Sequence, residues 1–144
     1  ENKIEYGQYL VDHVARCTNC HSTPSTLLSD GRYLGGGSVT FDGDKRDAPN
    51  ISNSEIEGIG SWSEEQIVSY LKTGITPDGR ESDSHYCPTE FYAQADASDL
   101  AAIAAFLKQA TAQQGESEIK DDGIRKIGGA KKDRPKRSDQ FKDR

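Results

Sequence analysis

The most constraining stretch of this chain is the segment Cys17-Thr18-Asn19-Cys20-His21, which has the pattern C-x-x-C-H. Two cysteines three positions apart lie on one side of a helical turn, so both thiols can reach the same edge of a flat ring. The adjacent imidazole of His21 can then turn towards the centre of that ring. This pattern is the attachment motif of a c-type haem, which two thioether bonds hold and whose iron the histidine ligates.

Two other kinds of site use a similar pair of cysteines. A redox-active disulfide of the C-x-x-C type occurs in a βαβ setting, and no such alternation surrounds Cys17 and Cys20. A structural zinc site needs four ligands, and only His85 and Cys87 lie near each other as a second pair. We therefore favour haem attachment, with Cys17, Cys20 and His21 as site residues.

The composition agrees with a large buried cofactor. Only 33% of the 144 residues are hydrophobic and 8% are aromatic, which is little for a core of this size, and a haem would supply much of the missing apolar volume. No stretch approaches the roughly 18 apolar residues of a membrane span, so we predict no transmembrane segment, and we expect no nucleic-acid partner. Covalent haem attachment implies export to the periplasm or an equivalent compartment, and we interpret the start at Glu1 as numbering after cleavage of a signal.

Three helices are predicted from the spacing of apolar residues. The first covers about residues 3–15 and leads directly into the C-x-x-C-H motif. The second opens with a capping box at Ser63, and Gly74 is a natural end for it. The third covers about residues 97–110 and has the clearest amphipathic repeat. Gly7 in the first helix costs about 1 kcal/mol relative to alanine, which predicts a close crossing with the alanines of the third helix.

The segments between these helices are predicted to be irregular. Residues 22–60 contain glycine and proline turns and little periodicity, and we interpret them as a loop that wraps around the porphyrin. A second loop, over residues 75–95, contains His85-Tyr86-Cys87-Pro88. The predicted fold class is therefore all-α, with three main helices and long loops around one covalently bound haem.

The character of the chain changes after Gly115. Residues 116–144 contain 10 Lys and Arg and 7 Asp and Glu, a net charge of +3, whereas the first 115 residues carry a net charge of −9. The last segment has few large apolar residues and no core of its own. We predict a haem domain over residues 1–115 and a charged extension over residues 116–144 that contacts a partner.

The order of these elements resembles that of a class I cytochrome c over about residues 3–110. Several stretches are similar to the monohaem domains found as cytochrome subunits of bacterial dehydrogenases. They are Pro49-Asn50-Ile51-Ser52, Gly58-Ile59-Gly60-Ser61-Trp62-Ser63, Lys72-Thr73-Gly74 and Pro77-Asp78-Gly79-Arg80. The resemblance implies the class I cytochrome c fold, one haem c and a role in electron transfer. In that family a Met-Pro pair, often followed by Glu-Phe-Tyr, precedes the last helix, and its methionine is the distal haem ligand.

The corresponding run in this chain is Cys87-Pro88-Thr89-Glu90-Phe91-Tyr92, and the chain contains no methionine. The resemblance therefore implies that Cys87 takes the place of the distal ligand. A thiolate stabilises ferric iron, so ligation by His21 and Cys87 predicts a low redox potential. His85 stays open as an alternative distal ligand, as does an open or water-bound iron, with Cys87 then a buried free thiol. Trp62 is expected either to pack in the core or to donate its indole N–H to a haem propionate.

The function that these residues predict is electron transfer by a periplasmic monohaem c-type cytochrome that is not itself an enzyme. A redox partner protein is expected, and residues 116–144 are expected to form a homo- or hetero-oligomer. Two other functions stay open. One is a haem-based sensor or binder of NO or CO, in which Cys87 leaves the ferrous iron. The other is a haem subunit in thiosulfate oxidation, because haem-ligating cysteines also occur in proteins that resemble thiosulfate-oxidising cytochromes.

Overall fold

The computed structural model describes residues 2–24, 27 and 31–112. The predicted extension over residues 116–144 lies outside the described residues. The described elements in chain order are α1 (Lys3–Tyr9), a π-helical segment (Leu10–Val14), α2 (Thr18–His21), β1 (Gly37–Phe41), β2 (Asp44–Ala48), α3 (Glu64–Thr73), α4 (Thr89–Tyr92) and α5 (Ala97–Leu107). None of the helices in the described ranges is long and apolar enough to cross a membrane.

The first predicted helix is confirmed, and it consists of α1 and the π-helical segment together. Asn2 caps its start, because the Asn2 side chain accepts a hydrogen bond from the backbone N–H of Ile4 at 2.9 Å. The helical path stops at Arg16, whose φ of 55° lies in the left-handed region. The backbone N–H of Cys17 then donates to the carbonyl of Val11 at 2.9 Å, which holds the C-x-x-C-H turn against the end of the helix.

The predicted close crossing of the first and last helices is confirmed. A Cβ atom built on Gly7 would overlap the backbone carbonyl of Ala102 in α5 and would lie 2.9 Å from the Cβ of Phe106. Only a residue without a side chain lets the two backbones approach this closely. The third predicted helix is also present as α5, which ends at Leu107.

Helix α3 has both of its predicted ends. The Ser63 hydroxyl accepts from the backbone N–H of Gln66 at 3.1 Å, and the Gln66 side chain accepts from the backbone N–H of Ser63 at 2.9 Å, which completes the capping box. Gly74 ends the helix with a φ of 72°, in the left-handed conformation that glycine adopts without strain.

One hydrophobic core lies between α1, the π-helical segment, α3 and α5. Helix α5 contributes more buried residues than any other element, and connecting segments add Leu34, Ile59 and Ala110. Burying one leucine side chain in such a core stabilises the fold by roughly 2 kcal/mol. The buried members are Leu10, Val11, Leu34, Ile59, Ile67, Leu71, Leu100, Ala102, Ile103, Ala104, Phe106, Leu107 and Ala110.

The prediction of an all-α fold is wrong. Strands β1 and β2 form a two-stranded antiparallel sheet with Gly37 opposite Ala48 and Phe41 opposite Asp44, and the structure is only 39% helical. The two residues between the strands, Asp42 and Gly43, both have positive φ, as a tight hairpin turn requires. The sheet lies inside the segment that was predicted to be a wrapping loop. The sequence did not indicate it, because β2 is exposed along most of its length and shows no apolar alternation.

Candidate haem site

Helix α2 is the single turn that carries the C-x-x-C-H motif. Its side chains Cys20 and His21, and Cys17 directly before it, are all half-buried. The backbone N–H of His21 donates to the carbonyl of Cys17 at 2.9 Å, so the turn is closed by a helical hydrogen bond. The spacing of the motif therefore has the helical geometry that the sequence predicts.

The imidazole of His21 is set in one tautomer. Its Nδ1 lies 2.7 Å from the carbonyl oxygen of Pro49, and because a carbonyl only accepts, Nδ1 must carry the proton. Burial lowers the pKa of His21 below its usual value, so the ring is neutral at neutral pH. The lone pair is then on Nε2, which is the nitrogen that can ligate a metal.

Burial dominates the pKa values of Cys17 and Cys87. Burial, and after it the neighbouring Cys87 thiol, raises the pKa of the Cys17 thiol to about 12. Burial also raises the pKa of Cys87, and Cys20 adds to that rise. Cys87, which is far from the motif in sequence, is therefore among the groups that raise the pKa of Cys17, and Cys20 is among those that raise the pKa of Cys87.

Cys87 lies in a polar contact with helix α3. The Tyr70 hydroxyl donates to the Cys87 sulfur at 3.4 Å, and it also lies 2.8 Å from the Ser82 hydroxyl. Since the one Tyr70 proton points at the sulfur, Ser82 is the donor to the Tyr70 oxygen. Tyr92 of α4 is half-buried, and Cys17 and Cys87 are among the groups that raise its pKa.

His85 has different surroundings from Cys87. The His85 side chain is exposed, whereas Cys87 is half-buried. The His85 ring packs against the edge of Phe41 with 4.1 Å between ring centroids and an interplanar angle of 76°. It also contacts Tyr86, whose centroid lies 5.5 Å away. The structure thus holds Cys87 on Tyr70 of α3 and His85 on Phe41 of the β1–β2 hairpin.

Trp62 packs against the core, as one of its two predicted roles requires. Its ring meets Tyr70 edge-on, with 5.7 Å between centroids. The Nζ of Lys108 donates to the carbonyls of Gly60 and Trp62, each at 2.7 Å, and so joins the end of α5 to this segment. Donation from the indole to a haem propionate stays a prediction.

The side chains present fit a covalently bound haem. Cys17 and Cys20 offer two unpaired thiols for thioether bonds, and neutral His21 offers Nε2 to the iron. Bound haem would supply a one-electron ferric/ferrous couple, and the chain supplies its attachment and ligands. Pro49 and Tyr70 are not predicted as site residues from the sequence, although they contact His21 and Cys87. A carbonyl acceptor and a remote hydroxyl leave no local pattern, although the proline before Asn50 marks a fixed turn.

Comparison with known proteins also points to cytochromes. No protein-family model matches the chain. It is 45% identical over 76 residues to the fructose dehydrogenase cytochrome subunit of Gluconobacter japonicus, which covers 51% of this chain and 15% of that protein. It is 30% identical over 135 residues to the cytochrome c subunit of alcohol dehydrogenase (quinone) of Gluconobacter oxydans, which covers 84% of this chain and 27% of that protein.

A third relative is the diheme cytochrome c-type protein of Cereibacter sphaeroides, 34% identical over 95 residues, which covers 63% of this chain and 31% of that protein. The chain therefore spans less than a third of the length of each of these relatives. Two of the three are named as cytochrome subunits of dehydrogenases. Together with the C-x-x-C-H turn and the preset tautomer of His21, these similarities support a c-type cytochrome, a haem protein of electron transport.

Proposed function

We propose that residues 1–115 form a monohaem c-type cytochrome domain that transfers single electrons and performs no substrate chemistry of its own. Cys17 and Cys20 attach the haem, His21 is the proximal ligand through Nε2, and Cys87 is the distal ligand. The observation that carries this proposal is the closed C-x-x-C-H turn, in which His21 donates its Nδ1–H to the Pro49 carbonyl and leaves Nε2 available to ligate iron.

Cys87 is favoured over His85 as the distal ligand because the two side chains differ in burial and in the residues that they contact. The half-buried Cys87 accepts a hydrogen bond from Tyr70 of α3, whereas the exposed His85 packs on Phe41. Using His85 as ligand would require breaking that ring contact and rebuilding the loop. A thiolate ligand stabilises the ferric state, so we propose a potential well below that of a His/Met cytochrome.

The partner that we propose is a dehydrogenase, because two similar proteins are named as cytochrome subunits of such enzymes. The chain would accept electrons from the dehydrogenase and pass them to a further carrier. Covalent haem attachment favours an exported compartment, and we propose the periplasm. We also propose that residues 116–144 contact a partner subunit, since their net charge of +3 complements the −9 of the preceding residues.

The experiment that tests the ligand set compares Cys87→Ala with His85→Ala in the haem-loaded protein. Wild type should be low-spin in the ferric state, with a thiolate signature in its optical and paramagnetic resonance spectra. Cys87→Ala should lose that signature, and His85→Ala should keep it. The assignment is wrong if Cys87→Ala leaves the ferric spectrum unchanged while His85→Ala makes it high-spin.

Covalent attachment is tested separately by acid–acetone extraction. The haem should stay with the protein, because two thioethers hold it. A Cys17→Ala, Cys20→Ala double variant should release any bound haem into the organic phase, and it is the matched control. Release of haem from wild type would overturn the attachment.

A further inference from the structure

We propose that the β1–β2 hairpin, residues 37–48, positions the Cys87 sulfur relative to the haem-attachment turn, with Phe41, Asp44 and Tyr86 as positioning residues. The proposal deepens the proposed function and rests on it for the role of Cys87 as ligand. Its basis is that one end of the hairpin is joined to helix α2 and the other end to the loop that carries Cys87.

The open end of the hairpin is joined to the haem-attachment turn. The backbone N–H of Gly36 donates to the carbonyl of His21 at 2.9 Å. A Cβ atom on Gly37 would overlap the carbonyl of Cys20 and would lie 2.8 Å from that of Ser22, so the first residue of β1 lies directly on the backbone of the motif. Pro49, the residue after β2, accepts the Nδ1 proton of His21.

The turn end of the hairpin is joined to residues 83–87, the part of the loop that carries Cys87. The Tyr86 hydroxyl donates to the Asp44 carboxylate at 2.9 Å, and Arg46 pairs with the same carboxylate at 2.9 Å. The Arg46 guanidinium also lies over the Tyr86 ring, 5.5 Å from its centroid. Phe41, opposite Asp44 in the sheet, packs on His85. Two consecutive residues of the loop are therefore held by the hairpin.

The loop transmits this contact to Cys87. The backbone N–H groups of Tyr86 and Cys87 both donate to the carbonyl of Asp83, at 3.1 and 3.0 Å, and the N–H of His85 donates to the Asp83 side chain at 3.0 Å. Residues 83–87 thus form one closed turn, in which a shift of Tyr86 moves the adjacent Cys87. An isolated two-stranded hairpin is only marginally stable, so the hairpin and the two segments that it joins hold one another in place.

The test compares two single variants of the haem-loaded protein, Asp44→Ala and Tyr86→Phe, with wild type. The second variant removes only the hydroxyl and keeps the ring under Arg46, so it folds even where the first does not. The control is Asp78→Ala, because exposed Asp78 also pairs with an arginine two residues on, at 2.9 Å, and accepts from a hydroxyl, that of Thr76. Asp78 therefore makes the same kinds of interaction as Asp44, but its partners in them, Arg80 and Thr76, lie outside the hairpin.

Two readouts are measured for each variant. The first is hydrogen–deuterium exchange of the amides of residues 83–87, and the second is the affinity of ferric iron for imidazole, which must displace Cys87. Both hairpin variants should exchange about fivefold faster and bind imidazole about fivefold more tightly, the factor that one lost hydrogen bond represents. Asp78→Ala should change either quantity by less than about twofold.

The proposal is overturned if the hairpin variants behave like Asp78→Ala. A second result also overturns it, provided that Cys87→Ala has lost the thiolate signature and Cys87 is therefore the ligand. In this result Asp44→Ala and Tyr86→Phe accelerate the exchange of residues 83–87 but leave the imidazole affinity constant. The hairpin then holds the loop without positioning the sulfur. Failure of the ligand assignment has a different result, since Cys87→Ala then binds imidazole as wild type does. In that case unchanged exchange in Tyr86→Phe removes the hairpin's role in the loop as well.

Discussion

At the scale of single residues, Tyr70 is the side chain with the most direct influence on Cys87. Burial, and after it the hydrogen bond to Cys87, raises the pKa of Tyr70 to about 12, so the phenol keeps the proton that it donates to the sulfur. A donor to a thiolate withdraws negative charge from it and weakens its donation to ferric iron. Tyr70 should therefore raise the potential of a His/Cys haem.

Tyr70→Phe is expected to lower the midpoint potential by about 40 mV, the one-electron equivalent of about 1 kcal/mol of lost hydrogen bonding. Potentiometric titration measures it. Ser82→Ala is the control, since it removes a donor to the Tyr70 oxygen and leaves the Tyr70 proton on the sulfur, and its shift should be smaller. A higher potential in Tyr70→Phe would contradict this account.

At the scale of elements, the crossing of α1 and α5 is set by Gly7. The intrinsic helix propensity of alanine would add about 1 kcal/mol of stability at this position. The overlap of a Cβ with the Ala102 carbonyl and with Phe106 opposes that gain, and backbone cannot move aside as a flexible side chain can. Overpacking of this kind costs about 1–3 kcal/mol or more, so the steric effect dominates.

Gly7→Ala is accordingly expected to reduce the free energy of unfolding by about 2 kcal/mol. Guanidinium denaturation of the haem-loaded protein, followed by far-UV circular dichroism, measures the change. Glu5→Ala, at an exposed position of the same helix, should stay within about 0.5 kcal/mol of wild type. Equal stability of Gly7→Ala and wild type would show that the helices separate without cost.

The contacts of Asp44 in the hairpin should stabilise the fold to a degree that depends on pH. The hydrogen bond from Tyr86 and the adjacent Arg46 lower the pKa of the Asp44 carboxyl below its usual 3.8. A group whose folded pKa is lowered stabilises the fold above its unfolded pKa, and this stabilisation is lost as pH falls through the folded pKa. The Asp44 contacts should therefore contribute at neutral pH and disappear in acid.

Asp44→Asn should lower the thermal midpoint near neutral pH, and the difference from wild type should shrink as pH falls below about 4, where Asp44 begins to lose its charge. Thermal unfolding followed at a series of pH values measures this. A difference that stays constant across that range would mean that the charge of Asp44 is not its cause.

At the scale of the whole molecule, the net charge differs in sign between the two parts of the chain. The residues before Gly115 are acidic and those after it are basic. Charge separation of this size favours contact with a partner of complementary surface, and such contacts weaken as salt screens them.

A protein that ends at Gln114 is expected to keep its visible spectrum and to lose association with a like or unlike subunit. Sedimentation at low and high salt measures the association, and salt should weaken it in the full chain. Loss of the haem spectrum on truncation would assign residues 116–144 to haem binding instead. An unchanged oligomeric state would remove their role in assembly.

Several features of this protein follow from the sequence alone, because the interactions behind them are local. Cys17, Cys20 and His21 need only one turn of helix to present two thiols and an imidazole together. The capping box at Ser63 also lies within one turn. Because these 144 residues contain no methionine, none of them can supply the methionine of a His/Met ligand pair.

The remaining features depend on residues that are distant in sequence. Strand β2 is polar and exposed, so its pairing with β1 shows only once the hairpin and its contacts to residues 83–87 are in place. The bond from His21 to Pro49 and that from Tyr70 to Cys87 join residues 28 and 17 positions apart. Tertiary structure also gives His85 and Cys87 different partners, Phe41 for His85 and Tyr70 for Cys87, and the two-residue spacing in the sequence cannot show this difference.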